Sequence, residues 1–346
     1  MRYLSVCSGI EAATVAWQPL GWRPVAFSEI EAFPSAVLAH HYPDVPNLGD
    51  MTTIAQRILN GEVEAPDVLA GGTPCQAFSI AGLRKSLADE RGNLTMKFVE
   101  ITDAIDFVRV RDGRPPAIVL WENVPGVLST KDNAFGCFLG ALAGEDCELK
   151  PPGKRWADAG CVFGPQRAIA WRVLDAQYFG LAQRRRRVFV VASAREGFDP
   201  ATVLFEFEGV RRDSPPRREA REVAPTIPAR STGGAHAPCL AFPANMSFVN
   251  VSENVAPTLI AEYPVAVATQ GDVRRLTPRE CERLMGFPDD YTLVPLPLKG
   301  RQTRVRWASD SARYKALGNS WAVPVVRWIG ERIEQVHEIA SNEAAA

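Results

Sequence analysis

The chain has no pair of cysteines two residues apart, few histidines and no long apolar run, and each absence removes a class of protein. Its seven cysteines, at positions 7, 75, 137, 147, 161, 239 and 281, are scattered, and of four histidines only His40 and His41 are adjacent. That pattern predicts neither a zinc site nor a disulfide framework. An odd number of scattered thiols fits a reducing compartment, where most are small core residues. No uninterrupted stretch of about 18 apolar residues is available to span a bilayer. The opening MRYLSVCS is interrupted too soon for a signal peptide. A soluble, cytoplasmic protein with no metal and no membrane partner is expected. Net charge is also missing: 39 Lys and Arg against 40 Asp and Glu leave −1 at pH 7, which by itself attracts no polyanion.

What is present is an ordinary globular composition, 46% hydrophobic and 23% charged over 346 residues, enough for one large domain with an appendage or for two domains. Strand-like and helix-like segments alternate through the first half. Strands are predicted at Tyr3 to Cys7, Pro24 to Phe27, Asp67 to Ala70, Ala117 to Trp121 and Val188 to Ala192. Helices are predicted at Ala12 to Leu20, Ala32 to His41, Met51 to Leu59 and Leu94 to Val110. Such alternation predicts a doubly wound α/β sheet, whose ligands gather outside the carboxyl ends of the strands. Those ends carry Ser8-Gly9, Glu29, Gly71-Gly72 and Glu122-Asn123.

From residue 195 to 272 the character changes to proline, threonine and short strand-like runs, which predicts a second, smaller, mostly non-helical domain. VAPTIPA at 223–229 is echoed by VAPTLIA at 255–261, read as two similar extended turns because the flanks do not repeat. Helical pattern returns at Thr277-Pro278, an N-cap followed by a first-turn proline, and runs to Met285 before Gly286. A last helix is expected from near Trp321 to Ile339, with SNEAAA as a frayed tail. Charge is local. Arg184 to Arg187 are continuous, Arg211, Arg212, Arg217, Arg218 and Arg221 cluster, and Lys299, Arg301, Arg304 and Arg306 alternate with other residues. These runs are candidates for phosphate contacts, set against their ordinary reading as solvated faces.

LSVCSGIEAATVAW, residues 4–17, is a strand, a glycine turn and a helix, but it lacks the GxGxxG that admits a pyrophosphate. Glu11 in that turn would repel phosphate. Glu29 follows Gly9 by 20 residues at the end of the second strand, where an acid accepts hydrogen bonds from ribose hydroxyls. Asp50, in GDMT, is placed to accept from an adenine amino group. An adenosine ligand with positive charge and no phosphate suits all three acids, and S-adenosylmethionine fits that description. The plainer reading is that Glu11 and Asp50 only favour helix N-termini electrostatically.

GGTPCQAFSIAG, residues 71–82, sets Cys75 in a stiff turn. Glycines 71 and 72 allow unusual backbone angles, Pro74 fixes its own torsion, and Thr73 before it is pushed to an extended form. A thiol held at a strand's carboxyl end is placed for nucleophilic work if a cation or base favours its thiolate; otherwise it is a packed turn cysteine. In WENVPGV, residues 121–127, Glu122 ends an apolar run, where partial burial would equip it to donate a proton near neutrality. An ordinary surface acid at a strand end is the alternative. A cysteine nucleophile and a proton-donating acid at neighbouring strand ends suit addition to an electron-poor ring.

SVCSGIEAA, FSEIEAF, GDMT, GGTPCQAFS, ERGNL (90–94), WENVPGV, FGLAQRRRRVFVV (179–191), RRLTPRECERLMGFPDDY (274–291) and ALGNSWAVP (316–324) stand in the order of the DNA (cytosine-5) methyltransferase family, and over about residues 4–330 the chain resembles that family. The resemblance implies an α/β fold: a Rossmann-like, S-adenosylmethionine-dependent methyltransferase sheet with a second, smaller, mostly non-helical target-recognition domain. Residues 1–194 would form the catalytic and cofactor-binding domain and 195–272 the target-recognition domain. Residues 273–340 would be a C-terminal segment whose last helices pack back on the catalytic domain.

It further implies Cys75 as the nucleophile that adds to carbon 6 of cytosine. Glu122 would hold N3 and the exocyclic amine and protonate N3, Asn123 would orient that acid, and Arg187, with Arg185 behind it, would sit beside the thiolate and the pyrimidine oxygen. Gln76 and Ser79 would fall on the loop that closes over DNA with its target base flipped out. Cofactor contacts would come from Cys7, Gly9, Ile10, Glu29, Ile30, Asp50, Leu94, Asn319 and Ser320. Cys7 replaces the family's more usual phenylalanine, and Glu11 and Ala12 replace glycines.

The implied partner is duplex DNA with a specific cytosine-containing site, acted on by a monomer. The enzyme would serve a restriction system, with a cognate restriction endonuclease, or stand alone with a phage or chromosomal origin. The alternatives are an RNA (tRNA) cytosine-5 methyltransferase, which the arginine-bearing second domain disfavours, and a non-catalytic DNA-recognition protein that binds the cofactor, which intact Cys75 and Glu122 disfavour.

Overall fold

The computed structural model describes residues 1–74, 94–206, 240–243, 252–253, 256–259, 265–269, 272–296 and 305–345. Cys75, Gln76 and Ser79, the arginines at 211–221, the cations at 299–304 and the first VAPT segment lie outside the described residues. The chain divides into two compact units. The first comprises Met1–Leu174, Arg186–Glu208 and Val326–Ala346, and the second Asp175–Arg185 and Gly209–Val325.

The first unit is built on a seven-stranded sheet of β1 (Arg2–Val6), β2 (Arg23–Ser28), β3 (Val68–Gly71), β4 (Ile118–Asn123), β5 (Ala159–Phe163), β6 (Ala168–Asp175) and β7 (Arg186–Ser193), in the order β2-β1-β3-β4-β7-β6-β5. β2, β1, β3 and β4 are parallel, and β7 runs antiparallel to β4. β3 and β4 are buried on both faces, as continuous runs such as IVLW require. The chain reverses direction across the sheet at β1, so the crevice outside the ends of β1 and β3 is the topological switch point where such folds bind ligands. Because β7 enters antiparallel, its first residues lie at that same edge.

Helices α1 (Ala12–Trp17), α2 (Ala32–His41), α3 (Ile54–Leu59), α4 (Leu94–Arg111), α5 (Ala134–Ala143) and α6 (Pro200–Leu204) connect or follow the strands. Phe98, Ile101 and Ile105 of α4 join a core with Trp121, Phe135, Phe138, Trp156 and Trp171. Asp106 of α4 anchors both the N–H of Ala117, ahead of β4, and the buried guanidinium of Arg167. The helix expected over residues 12–20 stops at Trp17, and Gln18–Leu20 tightens into a 3₁₀ turn carrying Pro19. Gly71 is required for space: a Cβ there would lie 2.6 Å from Val6 Cγ2 and 2.8 Å from the Val6 carbonyl. Its φ is not among the positive ones, so the expectation that Gly71 serves an unusual backbone angle is replaced by close approach of β1 to β3.

In the second unit, β8 (Leu240–Pro243), β9 (Ser252–Glu253), β10 (Val265–Thr269) and β11 (Asp272–Arg275) pair antiparallel in the order β11-β10-β8-β9. A two-stranded ribbon joins β12 (Pro295–Leu296) to β13 (Arg306–Trp307). Helix α7 (Pro278–Met285) has the expected capping box, Thr277 with Glu280, and ends at Gly286 with φ +82. Helix α8 (Asp310–Asn319) is held to α7 by buried Arg313, which reaches Glu282 at 3.0 Å. Helix α9 spans Val323–Ala345, so SNEAAA, expected to fray, is helical through Ala345. No helix among the described residues is long and apolar enough to cross a membrane.

Candidate active site

The turn after β1 is shaped by three left-handed residues, Cys7 (φ 51), Gly9 (φ 56) and Glu11 (φ 64). Two of the three are not glycine, so their positions are held by specific bonds. Ser8 ties the turn to β2: its amide donates to the Ser28 carbonyl at 3.1 Å, and its hydroxyl accepts from the Ser28 amide at 3.0 Å. The Gly9 N–H donates to Glu29 Oε2 at 2.8 Å, and the Glu31 N–H donates to Glu29 Oε1 at 2.7 Å. A carboxylate offers about four acceptor positions, so Glu29 keeps capacity for two hydroxyls. Asp50 Oδ1 caps the 3₁₀ turn Met51–Thr53 through the Thr52 N–H at 2.9 Å. Burial pushes the Cys7 thiol up to about 12, and the charges of Glu29 and Asp50 add to the shift. Both acids therefore act on one spot at the switch point, which disfavours an anion and suits a cation.

Glu11 is not part of that acid pair. It is buried, and its Oε1 accepts from both the N–H and the hydroxyl of Thr14 at 3.2 and 3.1 Å, closing the first turn of α1. Desolvation raises its carboxyl to about 7, opposed by bonds from Ser5 and Thr14. The expectation that Glu11 meets the ligand gives way to its helix-capping alternative. The Ile10 side chain is also fully buried, so a contact from residue 10 falls to the backbone. Ile30 is 76% exposed and follows Glu29 directly, an apolar surface beside the acid. Leu94, at the start of α4, packs partly on the core.

At the end of β4, buried Glu122 meets Arg187, with Nε to Oε1 at 3.0 Å. Register explains the pair. Glu122 sits opposite Phe189 and Asn123 opposite Val188, so Arg187 is the diagonal neighbour on the face that Glu122 uses. Trp121 and Asn123 point to the other face, toward Thr73. The Asn123 side-chain amide donates to the Thr73 carbonyl at 2.9 Å, and its Oδ1 accepts from the Val124 N–H at 2.8 Å. The Trp121 indole donates to Thr73 Oγ1 at 2.9 Å, and Thr73 Oγ1 shares a 2.7 Å hydrogen bond with Thr95. Thr73 and Trp121 lie inside quoted motifs and Thr95 directly after one, but nothing in the sequence predicts that the three share hydrogen bonds.

In the second unit, Arg185 is buried and its guanidinium donates to the carbonyls of Gly318, at 3.0 Å, and Ser320. It also reaches the Leu259 carbonyl at 3.5 Å. Arg185 is thereby brought to the turn that holds Asn319 and Ser320, of which Asn319 is exposed and Ser320 buried. Among the described residues no three His, Cys, Asp or Glu side chains converge as a metal ion would require.

A sheet with four parallel strands, an acid-flanked turn at its switch point and no phosphate-binding glycine loop define a Rossmann-like methyltransferase, the class that uses S-adenosylmethionine. The residues present fit that cofactor: Glu29 retains acceptors for a ribose, Ile30 offers an apolar face, and the paired acids suit a sulfonium cation. The profile of the C-5 cytosine-specific DNA methylases matches residues 1–215 and 217–335, and the chain belongs to that family.

Over 96% of its length the chain is 45% identical to a protein named DNA N-6-adenine-methyltransferase from Escherichia phage P1, of which it spans 61%. It is 27% identical to the type II methyltransferase M2.BsuMI of Bacillus subtilis strain 168, over 97% of this chain and 76% of that one. The S. pombe Dnmt2 methyltransferase has the same fold, with a TM-score of 0.60 at 16% identity, covering 97% of this chain and 99% of that one.

Proposed function

We propose that this chain transfers a methyl group from S-adenosylmethionine to carbon 5 of a cytosine flipped out of a specific duplex DNA sequence. The observation that carries the reading is buried Glu122 paired with half-buried Arg187 at the sheet edge where GGTPCQ leaves β3 and the acid-flanked turn leaves β1. Bound cofactor supplies an electrophilic methyl group on a sulfonium.

The Cys75 thiolate forms a bond to carbon 6 while Glu122 protonates N3, which leaves carbon 5 electron-rich. Carbon 5 is then the nucleophile to which bound S-adenosylmethionine would supply its methyl group; loss of the carbon 5 proton to water, with the N3 proton returned to Glu122, would expel Cys75 as a thiolate and restore the ring. Glu122 also accepts from the exocyclic amine. Arg187 holds the acid and faces the pyrimidine oxygen, so developing charge meets a fixed cation. Asn123 and Arg185 act by position, Asn123 on the strand end and Arg185 on the turn at 318–320. Gly9, Glu29, Ile30 and Asp50, with Cys7, backbone at Ile10, Leu94, Asn319 and Ser320, would hold the cofactor. Gln76 and Ser79 would touch DNA, and the base must leave the stack at a cost of about a few kcal/mol.

Residues 1–194 would serve catalysis and cofactor binding, 195–272 recognition of the site, and 273–340 would be a C-terminal segment whose last helices pack back on the catalytic domain. The chain would act as a monomer in the cytoplasm, within a restriction system with a cognate endonuclease or alone. The name of the phage P1 protein concerns adenine, and the chain spans only part of that protein. The family match over nearly the whole chain supports cytosine.

The test is transfer of labelled methyl groups from S-adenosylmethionine to plasmid DNA and to tRNA, with nucleoside analysis and bisulfite sequencing of the plasmid. 5-Methylcytosine in DNA at one sequence is the expected product. Label only in tRNA, label in N6-methyladenine, or none from folded protein would overturn the reading. Cys75→Ser should abolish turnover with cofactor binding retained, and full activity in that variant removes Cys75 from the mechanism.

A further inference from the structure

We infer that Thr73 is a positioning residue for the methyl-transfer step, a clamp that ties both ends of the segment bearing the nucleophile to the strand that carries the acid. The inference rests on the proposed reading of Cys75 and Glu122. Thr73 stands two positions before Cys75, and Thr95 follows the same segment at the start of α4. Their hydroxyls, both buried, lie 2.7 Å apart across 22 residues of chain.

The third member is Trp121, whose indole is a donor only. Thr73 Oγ1 must therefore accept that 2.9 Å bond and meet Thr95 with its remaining capacity. The fourth contact fixes the backbone, through Asn123 to the Thr73 carbonyl at 2.9 Å. Trp121 is itself immobilised by the Phe138 ring at 4.4 Å and the Phe135 ring at 6.4 Å. Trp121 and Asn123 flank Glu122 and use the opposite face of β4, so the clamp sets the height of the strand end without occupying the acid's side.

No neutral alternative exists for the hydroxyl. Valine has nearly the shape of threonine, but it would take the acceptor at 2.9 Å away from the buried Trp121 indole. Serine retains the bonding. A displacement of about 1 Å at reacting groups is enough to cost about a hundredfold in rate, so loosening this base acts on the reaction without touching cofactor or DNA.

The experiment compares wild type with Thr73→Val, Thr73→Ser and Thr95→Val by two measurements. Hydrogen–deuterium exchange without DNA or cofactor reads the clamp alone, on the peptides that end near Thr73, begin near Thr95 and cover 119–124. Single-turnover methyl transfer to duplex DNA, with the cofactor KM measured in parallel, reads its consequence. Thr73→Val and Thr95→Val should accelerate exchange in all three peptides. Both should slow single turnover by about tenfold or more with the cofactor KM unchanged. Thr73→Ser should restore both. Unchanged exchange in Thr73→Val, a wild-type rate despite faster exchange, or a Thr73→Ser variant as slow as Thr73→Val would overturn the inference. A wild type that transfers no methyl group to DNA overturns the methyl-transfer reading and with it the positioning role, while the exchange data still separate that failure from absence of the clamp.

Discussion

Glu11 occupies a left-handed backbone position that favours glycine, and its carboxyl is buried and raised to about 7. A group whose pKa is higher folded than unfolded binds its proton more tightly in the folded state. Its contribution is complete below the unfolded value near 4.5 and is lost as pH rises through about 7. The loss is of the order of 3 kcal/mol for a shift of this size. Urea midpoints taken between pH 5 and pH 8 should therefore fall in the wild type relative to Glu11→Gln, which keeps the Thr14 cap and does not titrate. A parallel pH profile in the two proteins would show that Glu11 is ionised throughout. Residue type and position at Glu11 allow both readings; only the burial of the side chain separates a ligand-facing acid from a cap.

Short turns on either side of the strands carry more of the candidate site than the strands themselves. The family resemblance implies Arg187 beside the thiolate with Arg185 behind it. The guanidinium of Arg185 donates to the carbonyls of Gly318 and Ser320, and Arg187 meets Glu122. Alternation alone would put residues 185 and 187 on one side of an extended segment; they differ because Arg187 lies in β7, paired with β4, whereas Arg185 precedes that strand and belongs to the second unit. Lysine has a single head group and lacks the planar fork that reaches two carbonyls. Arg185→Lys should raise the KM for S-adenosylmethionine several-fold with less effect on kcat, measured at saturating DNA; an unchanged KM would separate the 318–320 turn from cofactor binding. The basic run was legible, but which of its members faced the acid depended on the register of β7 against β4.

Closure of the first unit depends on contacts between residues about 310 positions apart. The Trp17 indole donates to the Val326 carbonyl at 2.9 Å, and the Trp22 indole donates to Glu334 on α9. Arg332 on the same helix donates to the carbonyls of Thr202, Val203 and Phe205. Gly330 is the point of closest approach, since a Cβ there would lie 2.5 Å from Trp17 Nε1. Alanine at a helix interior would ordinarily be favourable. Here overpacking dominates, and Gly330→Ala should destabilise by about 1–3 kcal/mol in urea unfolding. A neutral or stabilising substitution would mean that the Trp17 ring has room to move.

The sequence by itself determined the alternation of strands and helices, the α7 cap and stop, and the short motifs that identify the family. Each depends on neighbours within a few residues or on a quoted order of segments. Thr277-Pro278 ending at Gly286 is the clearest case, because capping and termination are local chemistry. Only the tertiary structure decided that Gly71 is needed for space against Val6, that Glu11 caps its helix, that Arg187 reaches Glu122, and that Thr73, Thr95, Trp121 and Asn123 share one set of hydrogen bonds. Those facts require knowing which strands lie side by side and in what register. That is set by burial of side chains from distant parts of the chain, which no local pattern encodes.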